Sequence, residues 1–242
     1  STGSARSIPQ LQKMTESQRD RCLSELALLA PGLTKSASAS IQKRQKNDTA
    51  SSPAASSSLL PYKTPEEILE HLKTQIQSAF PAAPKAGYTI KNVNEKLQDF
   101  LSPAFYLTSP MDRFTENCIY INSGNNYDDI QLFTTLAHEG YPGHLYQTVY
   151  SYSAKLSPIR YILYHGGFTE GWATYVEMLS YGYTGLEETA ARALMLNQDA
   201  TLSLYASIDM GVHYDGWSLA DTAEFLGSYG IKQVSVISEI YQ

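Results

Sequence analysis

A proline and a glycine set into the middle of an amphipathic helical pattern constrain this chain more than any other feature. The stretch reads Thr134-Thr-Leu-Ala-His-Glu-Gly-Tyr-Pro-Gly-His-Leu-Tyr-Gln147. Asp128 and Asp129 open a helical pattern that carries Leu132, Phe133, Leu136 and Ala137 up to His138 and Glu139. Pro142 has no N–H to donate to the carbonyl of His138, and Gly143 loosens the backbone beside it. On an undisturbed helix six residues advance the axis by ~9 Å and leave two side chains ~120° apart. His138 and His144 would then diverge. A kink or π-type bulge at Pro142 would swing His144 back onto the face of His138.

That convergence matters because a His-Glu pair followed by a second histidine is an arrangement with which metal-dependent hydrolases bind zinc and activate water. A catalytic zinc needs a third protein ligand and an open position. Glu170 is the candidate, since it begins a second helix a loop and a turn away. Glu177, seven residues on, falls on nearly the same face and suits a role in orienting a ligand. Glu139 points off the ligand direction and suits a general base. Each residue also has a plainer reading: His144 as a packed or capping histidine, His165 beside two glycines as a turn residue, Glu170 as a favourable charge at a helix N-terminus. His213, within Asp209-Met-Gly-Val-His-Tyr-Asp-Gly-Trp-Ser218, either caps a long helix or faces the cleft as a proton donor or oxyanion stabiliser.

Composition narrows the partners. A net charge of −6 argues against nucleic acid, whose backbone calls for a basic face. No apolar run approaches the ~18 residues that cross a bilayer, so neither a membrane-spanning segment nor a signal peptide is expected. The two cysteines, Cys22 and Cys118, lack ligand-like spacing. Many of the 18 tyrosines crowd between Tyr141 and Tyr183, which fits a polar-lined cleft as well as ordinary helix packing.

Along the chain the pattern predicts a helix from Thr15 to Pro31-Gly32, then a mobile linker or long surface loop over residues 34–58. Thr64-Pro65-Glu66-Glu67 caps a helix running to about Phe80. Tyr88–Val93 reads as a short strand, and residues 103–122 as two extended pieces around a turn, with Cys118–Asn122 the best strand candidate and one wall of the site. An extended peptide could add to such a sheet edge. Helices follow from near Phe168 to Gly182, from Leu186 to about Val212, and from a Ser218 cap to Gly230, with a further element in residues 232–242. The fold expected is mainly α with a small β-sheet, divided into residues 1–60 and a catalytic domain over residues 61–242.

The His138–Gln147 stretch, Thr169-Glu-Gly-Trp-Ala-Thr-Tyr-Val-Glu177, the Asp209–Ser218 stretch, Pro103-Ala-Phe-Tyr-Leu107 and Asn117-Cys-Ile-Tyr-Ile-Asn122 resemble the bacterial family known as domain of unknown function eight-eight-five. Its members are described as lipoproteins and look like zinc peptidases of the gluzincin kind. The resemblance runs from about Tyr62 onward and implies the C-terminal catalytic portion of a longer chain, truncated at both ends. It implies a zincin-like metallopeptidase fold, zinc held by His138, His144 and Glu170, Glu139 as catalytic acid/base, a peptide or small amide substrate, and an extracytoplasmic location with a lipid anchor in the full-length protein. His213 is a position at which some relatives differ. The expected activity is zinc-dependent hydrolysis of peptide bonds. The rival is an inactive helical module that binds peptide or serves as structure. A redox carboxylate-histidine centre ranks last, for want of further Glu-x-x-His pairs.

Overall fold

The computed structural model describes residues 4–47, 59–110, 112–124, 127–163 and 165–242, with the side chains of residues 34–47 outside that description. It falls into two compact units, one formed by residues 50–191 and the other by residues 4–49 with 192–242.

In the first unit, helix α2 (Pro65–Gln75) starts where Thr64 accepts a hydrogen bond from the backbone of Glu67, with Pro65 in the first turn. Its buried face of Ile68, Leu69 and Leu72 packs on α3 (Asp129–Glu139). Between these helices lies a three-stranded sheet of β1 (Gly87–Asn92), β2 (Ala104–Leu107) and β3 (Glu116–Ile121), in the order β1-β3-β2. β3 is central, parallel to β1 and antiparallel to β2, with Ile119 opposite both Ile90 and Tyr106. Along β3, Asn117, Ile119 and Ile121 are buried alternately with less buried neighbours, the period-2 signature of a strand with one covered face. β2 is therefore an edge strand on the side away from β1. Asn122, fully buried, closes β3 by donating to the carbonyls of Gln98 and Leu101.

α4 (His144–Ser153), the short α5 (Ile159–Ile162) and α6 (Gly166–Ser180) follow. α3 packs against α6, and Phe133, Leu136, Ala137, Leu145, Val149, Ala173 and Val176 are fully buried. That apolar wall holds α3, α4 and α6 in fixed relation; each Leu, Val or Phe there contributes ~1.5–3 kcal/mol by burial.

In the second unit, α1 (Ile8–Asn47) contributes Cys22, which packs with Leu196 and Ala200 of α7 (Glu188–Met210). α7 runs into a π-helical turn, Gly211–Asp215, and α8 (Leu219–Ser228) and α9 (Val234–Tyr241) close a second cluster around Ile208, Leu226 and Ile237. Ser218 and Asp221 form the capping box that starts α8.

Two expectations are corrected here. The first helix begins at Ile8, not Thr15, and continues through Pro31 to Asn47, so residues 34–47 are helical rather than a linker. Ser7 donates its N–H to the Gln10 side chain at 2.8 Å, half of a capping box that fixes the early start. The helix continues through Gly32, Thr34 and three serines, so propensity alone does not account for its length, and the proline costs one backbone hydrogen bond. Residues 48–58 of the expected linker lie outside the described residues.

Candidate metal centre

The Pro142-Gly143 stretch does not bend one helix; it separates two. α3 ends at Glu139, with the N–H of Gly140 still bonded to the carbonyl of Leu136 at 2.9 Å, and α4 starts afresh at His144. The expected kink or π-bulge at Pro142 is thus replaced by a four-residue break, and the one π-helical turn among the described residues lies at Gly211–Asp215 instead. The break includes a cis peptide between Tyr141 and Pro142. It is tied down from both ends. Tyr146 donates its backbone N–H to Gly140 O at 3.1 Å, and Gln147 to Gly143 O at 2.9 Å. From α6 the indole N–H of Trp172 donates to the carbonyl of Pro142 at 2.8 Å. Gly143 lies so close to the carbonyls of Ala137 and His138 that a Cβ at this position would overlap both.

The result is convergence. The imidazoles of His138 and His144 have centroids 4.8 Å apart and stand nearly perpendicular, at 83°. Glu170 on α6 reaches both: its Oε2 lies 3.3 Å from His144 Nε2 and 3.7 Å from His138 Nε2. Within this trio one ligand atom from each residue lies within 4.8 Å of the others. Three tetrahedral ligands at ~2.0–2.1 Å from a shared zinc would be ~3.3 Å apart, so the two Glu170 distances are close to that figure and the group can close on an ion by small side-chain rotations. Two neutral-capable imidazoles and a carboxylate also form the donor set that zinc accepts.

Glu177, two helical turns beyond Glu170, comes to 2.9 Å from the other ring nitrogen of His138, Nδ1. A carboxylate there accepts a hydrogen bond from Nδ1–H, and the tautomer it favours presents a lone pair on Nε2, toward Glu170 and His144. Glu177 is 13% exposed at its side chain and Glu170 54%, so α6 presents one carboxylate inward as a brace and the other at the open side.

Glu139 is turned from the trio toward the sheet. Its Oε2 accepts the backbone N–H of Tyr106 on β2 at 2.8 Å. The strand bonded to Glu139 is therefore β2, an edge strand. Burial raises the pKa of Glu139 above the usual carboxylate range, opposed by the Tyr106 N–H and by His138, and reinforced by the charges of Glu170 and Glu177. Burial pulls His138 down, but its hydrogen bond to Glu177 and the charges of Glu139, Glu177 and Glu170 outweigh it, and its pKa ends above the ordinary imidazole value. For His144 burial and the neighbouring His138 prevail, and its pKa falls. Two imidazoles pushed in opposite directions beside three carboxylates mark a site where charge is concentrated rather than dispersed.

The first unit thus brings together His138, His144, Glu170, Glu177 and Glu139. His213 belongs to the second unit, in its π-helical turn, exposed, with Nε2 3.7 Å from Asp209 Oδ1. Three contributors were not evident in the sequence. The Tyr106 N–H that holds Glu139 is a backbone group and leaves no residue-type signal. Trp172 lies within the Thr169–Glu177 stretch, where its indole N–H was the available cue. Gly143 was noted for flexibility, whereas its role is close approach.

No curated protein is significantly similar to the chain. Among solved structures, "the putative lipoprotein from Colwellia psychrerythraea" matches with a TM-score of 0.72 and 20% identity, over 98% of this chain and 42% of that one. "A putative lipoprotein of unknown function from Shewanella oneidensis" matches with a TM-score of 0.65 and 15% identity, over 98% of this chain and 46% of that one. The chain spans less than half the length of either, and at these identities the likeness is one of fold. The sequence matches the family described as "Bacterial protein of unknown function (DUF885)" over residues 1–240, and the chain belongs to that family.

Proposed function

We propose that this centre is a zinc-dependent hydrolase site for peptide or small amide bonds, on a zincin-like catalytic scaffold. The observation that carries the reading is the convergence of His138, His144 and Glu170 on one point with Glu139 beside them. His138, His144 and Glu170 would hold the ion, with Glu177 fixing the His138 ring from behind. Zinc, when bound, supplies Lewis acidity that makes water a better nucleophile and a carbonyl a better electrophile.

Glu139 takes the proton. With one oxygen held by Tyr106 N–H, its carboxylate is fixed in direction, and its raised pKa suits a group that accepts a proton from water and returns it to a leaving amine. Edge strand β2, whose Tyr106 N–H turns to Glu139, suits a substrate that lies alongside it in extended form. His213 is a candidate proton donor or oxyanion stabiliser only by its sequence motif. The neighbours named as lipoproteins support an extracytoplasmic, lipid-anchored location, and among the described residues no helix is long and apolar enough to cross a membrane.

Zinc content after reconstitution, measured by plasma mass spectrometry alongside cleavage of a short-peptide library, tests the reading. One zinc per chain and cleavage are expected, and Glu139→Gln should keep the zinc while losing at least ~100-fold in turnover. A well-folded preparation that takes up no stoichiometric zinc defeats the metal site and leaves a peptide-binding or structural module. Undiminished turnover in Glu139→Gln defeats the base assignment.

A further inference from the structure

Among the described residues, the second unit buries a cation that no carboxylate answers. Arg19, on α1, is 5% exposed. Its guanidinium carbon lies 5.4 Å from the ring centroid of Phe225 and 5.1 Å from that of Tyr229, both from α8 and its C-terminal end. One terminal nitrogen, Nη1, donates to Ser207 Oγ at 2.8 Å, and Ser207 in turn donates to the carbonyl of Ser203 at 2.9 Å. The single Ser207 proton is thereby committed, which leaves its oxygen as a fixed acceptor toward Arg19. The buried Nε–H of Arg19 meets no acceptor. Among the described residues no aspartate or glutamate forms an ion pair with it.

Two aromatic faces stabilise the positive charge but accept none of the in-plane N–H groups. A guanidinium has five such donors in a planar fork, matched in shape to the paired oxygens of a carboxylate or phosphate. Charges taken this far from water are ordinarily paired, and among the described residues this one has a single neutral acceptor, Ser207. A cavity of about 450 Å³ opens on Arg19, within the range of small-molecule sites, and is also lined by Lys13, Glu16, Gln12 and Trp217. With two cations and one carboxylate its lining is net positive. Gln12, at the exposed rim, donates to Asp215 at 2.5 Å.

We infer that this cavity binds the oxyanion of a small molecule, a carboxylate or a phosphate, on the Arg19 fork, with Lys13 adding charge and Trp217 an apolar wall. The site is built entirely from residues of the second unit. It gives the protein a second ligand whose binding is read without any measurement of hydrolysis.

The test is calorimetric titration with sodium propionate and with inorganic phosphate, against sodium chloride at matched ionic strength. Tryptophan emission is recorded in parallel, since Trp217 is one of only two tryptophans. Saturable binding of either oxyanion beyond the chloride control is expected. Preference for propionate assigns a carboxylate ligand, and preference for phosphate a phosphorylated one. Arg19→Lys, which keeps the charge and loses the fork, should weaken binding roughly tenfold, and Arg19→Met should abolish it. If neither oxyanion binds the wild-type protein beyond chloride, or if both variants bind as the wild type does, the inference is wrong. The wild-type titration decides the matter even if Arg19→Met fails to fold.

Discussion

His138 Nδ1 and Glu177 Oε2 lie 2.9 Å apart, and this contact sets which nitrogen of the ring faces Glu170 and His144. Replacing the carboxylate by an amide of the same shape removes the charge that favours an Nδ1 proton while leaving the packing of α6 in place. Glu177→Gln is therefore expected to lower metal affinity by roughly 10–100-fold, the usual effect of losing a ligand's hydrogen-bond partner, with little change in stability. Competition with a chelator of known affinity measures it. An unchanged zinc affinity would show that Glu177 does not orient His138.

The break between α3 and α4 makes a second prediction. A Cβ on Gly143 would overlap the carbonyls of Ala137 and His138, which are backbone and cannot rotate away. Gly143→Ala must move α4 relative to α3, at a cost of about 1–3 kcal/mol and with loss of the His138–His144 convergence. Equilibrium denaturation should show the lowered midpoint, and zinc titration a larger loss than that stability change implies. Gly171→Ala is the control, since a Cβ there meets nothing within 4 Å; equal effects in the two variants would contradict the close-approach argument.

These two sites also show what could be read in advance. His138 and His144 could be paired from sequence because Pro142 forbids the helix on which they would diverge. The form of the solution was not readable, since a bulge and a full break leave the same residues. Glu170 is legible as the glutamate that begins a second helix a loop and a turn from the histidines, and Glu177 as the residue seven positions on along the same helix face, a local rule. The Tyr106 N–H is a contact across 33 positions made by backbone, and no residue type announces it. At Pro31 local reasoning gives the wrong end: Pro31 and Gly32 together read as a stop, whereas the helix runs through both at the cost of one backbone hydrogen bond. The unanswered charge of Arg19 was also invisible, because a sequence does not say which arginine will be buried.

The buried phenols make the third prediction, which concerns pH. Burial carries Tyr141 and Tyr181 up to about 12, and burial together with the Glu70 carboxylate raises Tyr88 further. In the unfolded chain each should titrate near ~10. The folded state therefore holds these protons over a range in which the unfolded state has released them, and the folded pKa lies above the unfolded one. Their contribution to stability is fully present below pH ~10 and is lost as pH rises through about 12, at a slope of up to ~1.4 kcal/mol per pH unit for each group. Denaturant midpoints should be insensitive to these groups up to pH ~9.5 and then fall steeply. Ultraviolet titration should show the exposed tyrosines forming phenolate first, with the buried ones following only as the fold is lost. Reversible ionisation of all 18 tyrosines in one step near pH 10, with the fold intact, would show that these phenols are not held as described.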